Sequence, residues 1–237
     1  MRLAVWSGPR NLSTALLYAF GNRPDCDALD EPFYGPWLAA TGADHPMREA
    51  LLAALDPDPE AAARRCAAEP PPGRIAYQKH MVHHLLPGFP RGWMRGARHV
   101  LLLRHPARVV ASYAQRHAPR WEDLGFAQAE ALFEEVTALG EPPLVVEAEA
   151  IRADPEATLG ALCAALGLVF DPAMLAWPPG PKPFDGPWAP HWYDAVHRSA
   201  GLAPPEGPPP VLDGSLAELA ARALPGYERL RGRAIRA

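Results

Sequence analysis

Two stretches of this chain carry residue types suited to gripping phosphate. The first is Ser7-Gly8-Pro9-Arg10-Asn11-Leu12-Ser13-Thr14. An apolar run from Arg2 to Trp6 precedes it, and Leu16, Leu17 and Phe20 follow on one helical face, so the stretch reads as strand, loop and helix. In that arrangement loop N–H groups and a helix N-terminus converge on one point and favour an anion. Gly8 permits close backbone approach, Arg10 supplies a fixed cation, and Pro9 and Asn11 are counted with them as candidate binding residues of the loop. Ser13 and Thr14 supply hydroxyl donors and are also expected to cap the helix. The second stretch runs from Arg104 to Tyr113. Arg104 closes the strongly apolar run His99 to Leu103, at the strand end where ligands of open α/β sheets collect. Arg108 and Ser112 then share a helix face at a spacing of four, and the competing use of both arginines is pairing with carboxylates.

The first loop departs from the triphosphatase pattern G-x-x-x-x-G-K-[ST], whose lysine and magnesium-binding hydroxyl would fall on Thr14 and Ala15. The later strand ends in Arg104 rather than a metal-binding aspartate, so a magnesium-dependent kinase is the weaker reading. Two residues are candidate general bases for an acceptor group: Glu31, in Asp30-Glu31-Pro32-Phe33, and His80, in Tyr77-Gln78-Lys79-His80-Met81. Lys79 stands beside the second candidate. His80 and His84 are expected on one strand face but lack a carboxylate or cysteine partner, so no metal site is expected.

The elements that must position these groups alternate as strands and crossover helices do in a parallel sheet. Strands are expected at Arg2 to Trp6, Asp27 to Glu31, Arg74 to Lys79, His99 to Arg104 and Pro143 to Glu147. Helices are expected at Ser13 to Gly21, as two pieces between His45 and Ala68, and at Ala107 to Gln115, Phe126 to Leu139 and Pro155 to Leu166. A last helix, Ser215 to Leu224, is expected to stop at Pro225-Gly226. The chain holds 30 prolines, and the stretch 177–210 is rich in them, an irregular segment over the sheet rather than a linker. Its Trp188, His191, Trp192 and Tyr193 suit stacking on a purine, lining an acceptor pocket or pinning the loop.

A formal charge of -4 argues against nucleic acid or an anionic membrane as the main partner. The three cysteines are widely spaced and form no C-x-x-C pair, which fits a reduced cytoplasm. The chain suits one α/β domain spanning 1–237, and its oligomeric state, a homodimer included, is left open.

Taken together, the two phosphate stretches resemble the sulfotransferases that use 3'-phosphoadenosine 5'-phosphosulfate. Gly8 to Thr14 is similar to that family's strand-loop-helix for the 5'-phosphosulfate, and Arg104, Pro106 and Ser112 match its R-x-P-x-x-x-x-x-S pattern for the 3'-phosphate. Asp30-Glu31-Pro32-Phe33 resembles the acidic segment of carbohydrate-type and bacterial members, and Asp154-Pro155-Glu156 through Leu168 their late helix. Lys182, Gly186 and Trp188 resemble the K-x-x-x-G-x-W that closes over the nucleotide. Arg10 stands where the family has lysine, and Asn11-Leu12 where it has glycine-threonine.

The resemblance implies a three-layer P-loop-type fold with a mainly parallel sheet flanked by helices. It also implies sulfuryl transfer to a hydroxyl or amine of a small molecule or sugar. Arg10, the loop N–H groups and Thr14 would steady the leaving phosphate with Ser13 nearby, while Arg104 and Ser112 would anchor the 3'-phosphate. Glu31 or His80 would be the base. The alternatives are a kinase of the related loop type and a nucleotide-binding protein that has lost transfer.

Overall fold

The computed structural model describes residues 1–236. Five parallel strands form one sheet in the order β2-β3-β1-β4-β5. They are β1 (Arg2–Ser7), β2 (Cys26–Asp30), β3 (Ile75–Met81), β4 (Arg98–Leu103) and β5 (Leu144–Glu147). The helices are α1 (Ser13–Gly21), α2 (Tyr34–Thr41), α3 (Arg48–Ala54), α4 (Pro59–Ala67), α5 (Pro106–Ala114), α6 (Phe126–Ala138), α7 (Ala148–Ala153), α8 (Pro155–Ala165), α9 (Ala189–Trp192), α10 (Asp194–His197) and α11 (Gly214–Arg231).

Central β1 is buried along its whole length, and its alternating side chains build both flanking layers. Leu3 and Val5 point into a core with Leu16, Leu17 and Phe20 of α1 and Leu159, Leu162 and Cys163 of α8. Ala4 and Trp6 point the other way, into a core with α4, α6 and the end of α11. The result is the expected three-layer α/β architecture, with a sheet buried on both faces and therefore apolar nearly throughout. Because all five strands are parallel, their carboxyl ends share one edge, and the chain switches from β3 to β4 across β1 there.

Most expected elements lie within two residues of the sequence pattern, α2 and α7 are helices that it did not anticipate, and four further features differ. The N-cap of α1 is Leu12, in the left-handed region with φ 69° and no side-chain cap bond, so Ser13 and Thr14 stand inside the first turn and do not cap it. β3 runs to Met81, which places His80 inside the strand, and His84 falls in the 3-10 turn Val82–His84 instead of sharing a strand face with it. α11 continues through Pro225 to Arg231. The proline removes one backbone donor, but Tyr227 and Leu230 are buried beyond it and the Tyr227 hydroxyl donates to Glu147 at 2.9 Å, so tertiary packing holds the second half. The stretch 177–210 contains α9, α10 and a bridge between Ala176 and Gly201. No helix among the described residues is long and apolar enough to cross a membrane.

Candidate functional site

Along the carboxyl edge of the sheet the strand order sets out the candidate residues in a row. Glu31 follows β2, Gly8 follows β1 and Arg104 follows β4. Strand spacing puts the ends of β2 and β1, two places apart, roughly 10 Å from each other.

On the β1 side the two candidate phosphate-binding stretches meet. Arg104 Nη1 donates to the carbonyl of Arg10 at 2.7 Å, and Arg10 Nε donates to Ser112 Oγ at 2.9 Å. Arg10 and Leu12 both carry positive φ, 64° and 69°. Non-glycine residues resist that region, and such a pair of turns orients successive N–H groups into a concavity. Gly8 is needed for close approach: a Cβ there would stand 2.7 Å from the Leu124 carbonyl oxygen. Asn11 Nδ2 donates to Leu102 O at 3.3 Å and ties the loop to β4. The hydroxyls of Ser13 and Thr14 make no protein hydrogen bond among the described residues. Burial chiefly, and the neighbouring Arg116 and Arg104 charges after it, lower the Arg10 pKa.

Arg104 and Arg108 do pair with carboxylates, but with partly buried ones. Glu206 Oε1 lies 2.6 Å from Arg104 Nη2 and 2.7 Å from Arg152 Nη1, with its other oxygen 3.7 Å from Arg108 Nη1. Arg108 also reaches Glu149 at 3.4 Å.

On the β2 side Lys79 is 1% exposed and bridges Asp30 Oδ1 at 3.0 Å, Glu31 Oε1, and the Tyr193 hydroxyl at 2.8 Å. Tyr193 in turn donates to Asp30 at 2.6 Å and accepts from Trp188 Nε1 at 3.0 Å. One ammonium thus faces two carboxylates, with a surplus negative charge when both are ionised. Burial, reinforced by Asp30 and opposed by Lys79, pushes the Glu31 carboxyl up to about 7, while the two acids push Lys79 up against its burial. Glu31 also has φ 38°, a strained conformation of the kind that collects at functional sites. His84 Nδ1 lies 3.5 Å from its second oxygen, and the His84 ring stacks on Tyr34 at 4.7 Å. A cavity of about 300 Å³ opens on this side, lined by Glu31, Gly35, Asp56, Arg65, Asp185 and Trp188 among others.

His80 is not at the edge. It is 2% exposed and packs in one aromatic cluster with Trp6 at 4.4 Å and Trp93 at 4.9 Å, and burial lowers its pKa well below the usual imidazole value. The cause is the longer β3, which turns His80 into the layer under the sheet. Lys182 donates to Pro178 O at 2.5 Å and lies 5.8 Å over the Tyr18 ring. The Gly186 N–H donates to Asp30 at 3.4 Å, and Trp188 is buried against Tyr34, so this stretch is seated on the β2 side. Trp188 and Tyr193 pin the loop, whereas Trp192 faces His45 and His117 near its surface. Sequence reading missed Glu206 and Arg152. A lone acid in Pro204-Pro205-Glu206-Gly207-Pro208 was the available signal, because nothing else in that stretch carries charge.

In a parallel three-layer α/β fold, the loop after a central strand opens at the carboxyl edge of the sheet, where ligands of such folds collect. The chain belongs to the sulfotransferase domain family, whose model matches residues 1–234. Among solved structures it is similar to the sulfotransferase domain of the olefin synthase from Synechococcus PCC 7002, with 20% identity, 94% of each chain covered and a TM-score of 0.54. It is also similar to the sulfotransferase domain of the curacin biosynthetic pathway, with 15% identity, 93% of this chain and 96% of that one covered, and a TM-score of 0.51. Two Arabidopsis thaliana proteins, branched-chain-amino-acid aminotransferase-like proteins 2 and 1, are 35% and 36% identical over 96% and 95% of this chain. The chain spans 41% of the length of each of these relatives.

Proposed function

We propose that this sulfotransferase takes its sulfuryl group from 3'-phosphoadenosine 5'-phosphosulfate and delivers it to a hydroxyl or amine of a small molecule or sugar, with Glu31 as general base. The observation that carries the reading is the meeting of Arg10, Arg104 and Ser112, which lie far apart in sequence and share one hydrogen-bonded cluster. The side-chain Nε of Arg104 is buried without a hydrogen-bond partner, which suits a ligand oxygen.

In this reading Arg10, the loop N–H groups and Thr14 stabilise charge building on the departing 5'-phosphate oxygen, with Ser13 beside them. Gly8, Pro9 and Asn11 hold the loop in shape, and Arg104 with Ser112 holds the 3'-phosphate. Glu31 takes the acceptor proton. It stands two strand places from the loop, room for a sulfuryl group and an acceptor between them, and its raised pKa suits a base working near neutrality. His80 is not assigned a chemical role, because its stacked, buried ring reaches no ligand. Lys182, Gly186 and Trp188 act at one remove, by seating the 177–210 stretch against Asp30. Neither a metal nor a nucleic-acid partner is part of the proposal, and it places the activity in a reduced cytoplasm, in one domain.

Calorimetry tests the donor. Adenosine 3',5'-bisphosphate is expected to bind, and more tightly than ATP with magnesium. Tighter binding of ATP with magnesium, or no heat from the bisphosphate, refutes the assignment.

A further inference from the structure

The stretch 202–212 carries its one charge, Glu206, inward onto three guanidinium groups. Those groups come from separate elements: Arg104 after β4, Arg108 on α5 and Arg152 on α7. Converging cations repel one another unless an anion sits among them, so the cluster is built around an anion. In this structure the anion shared by all three is the Glu206 carboxylate of the chain itself, with Glu149 beside Arg108 alone at 3.4 Å. The fit is incomplete: Glu206 Oε2 and Arg104 Nε have no hydrogen-bond partner. A phosphate monoester brings three acceptor oxygens and a charge of about -1.5 to -2, more than a carboxylate offers to such a cluster.

The stretch itself is lightly tied. Among the described residues no backbone-to-backbone hydrogen bond fixes 202–212. Its polar anchors are Glu206, the Arg152 Nε bond to Pro204 O at 2.8 Å, and the Arg108 bond to Gly207 O. Leu202 and Leu212 pack at its two ends, and Val211 is 99% exposed. Five prolines in this short stretch, Pro204, Pro205, Pro208, Pro209 and Pro210, limit both its donors and its conformations, so it is a stiff strap.

We infer that Arg104, Arg108 and Arg152 together form the pocket for the donor's 3'-phosphate, and that Glu206 is an internal placeholder which the phosphate displaces, lifting the strap. This rests on the donor assigned above and adds Arg108, Arg152 and Glu206 to it. Part of the binding free energy is then consumed in breaking the Glu206 pairs, and removing that carboxylate strengthens binding of any ligand that carries the phosphate.

The test is Glu206→Gln, which keeps shape and removes charge, titrated calorimetrically with adenosine 3',5'-bisphosphate and with adenosine 5'-monophosphate. The bisphosphate is expected to bind the variant roughly tenfold more tightly than wild type, about 1.4 kcal/mol, with the monophosphate unchanged. Arg152→Gln is expected to weaken the bisphosphate and spare the monophosphate. A readout on otherwise native protein comes from a fluorophore on Val211→Cys, which labels selectively because Cys26, Cys66 and Cys163 are buried. Its anisotropy is expected to fall when the bisphosphate is added. If wild type prefers the bisphosphate but Glu206→Gln binds it no more tightly, or the label does not respond, the placeholder is overturned and the donor assignment stands. If neither protein prefers the bisphosphate over the monophosphate, both fall together.

Discussion

Replacing Glu31 by glutamine separates a catalytic from a structural carboxylate. In the native cluster Lys79 faces Asp30 at 3.0 Å, Glu31 and the Tyr193 hydroxyl at 2.8 Å, so two acids share one ammonium. Glu31→Gln removes the surplus negative charge, while Lys79 keeps Asp30 and retains an amide oxygen to donate to. No buried charge is left unpaired, and stability is expected within about 1 kcal/mol of wild type. The rate is a different matter. Loss of a positioned base costs typically about 10² to 10⁴-fold, or roughly 3 to 5 kcal/mol in barrier height. Turnover with a panel of small alcohols, amines and sugars, thermal unfolding, and bisphosphate affinity together make the assay. Expected are a collapse of kcat, an unchanged melting temperature and an unchanged bisphosphate Kd. His80→Phe, which keeps the aromatic cluster with Trp6 and Trp93, is the control and is expected to change kcat/KM by no more than roughly twofold. A Glu31→Gln enzyme within threefold of wild type would refute the assignment of the base.

Three further outcomes are expected. Because a base works only when deprotonated and burial pushes the Glu31 carboxyl up to about 7, kcat/KM should rise with pH through that region, and a pH profile of Glu31→Gln should lack the limb. Gly8→Ala places a Cβ 2.7 Å from the Leu124 carbonyl oxygen, which is backbone and yields poorly. It should cost about 1–3 kcal/mol in chemical denaturation and weaken the bisphosphate, and an unaltered unfolding midpoint with unaltered affinity would count against the crowded loop. Pro225→Ala restores a backbone donor inside α11. The helix-interior gain of about 3 kcal/mol, offset by the looser unfolded chain, leaves roughly 2 kcal/mol and a melting temperature about 4–8 °C higher, readable by calorimetric scanning.

The legible parts of the molecule were those fixed by short-range rules. β4 is nearly continuous aliphatic sequence, and Pro106 opens α5 at its first position, as the pattern requires. Asp154 caps α8 by accepting from Ala157 N at 3.0 Å, again a local signal. The spacing of Arg104 and Ser112 could be read, but their meeting with Arg10 depends on β1 and β4 being sheet neighbours, which no local pattern encodes. Misreadings came where distant packing overrode propensity. α11 passes through Pro225 because Tyr227 and Leu230 are buried beyond it, and Leu12 adopts the left-handed turn that a glycine would favour because the loop is held on both sides. His80 read as a strand-end residue until β3 gained His80 and Met81. Glu206 was invisible because three arginines from different elements give it meaning.

The position of β1 has a consequence for how the chain is made. It is translated first of the five strands, yet both of its neighbours come much later: β3 near residue 75 and β4 near residue 98. At ordinary elongation rates the ribosome needs roughly five to twenty seconds to supply the second of them. During that interval Leu3 to Trp6, wholly buried in the finished sheet, lacks a pairing partner on either side, a nascent hydrophobic segment that a chaperone would recognise.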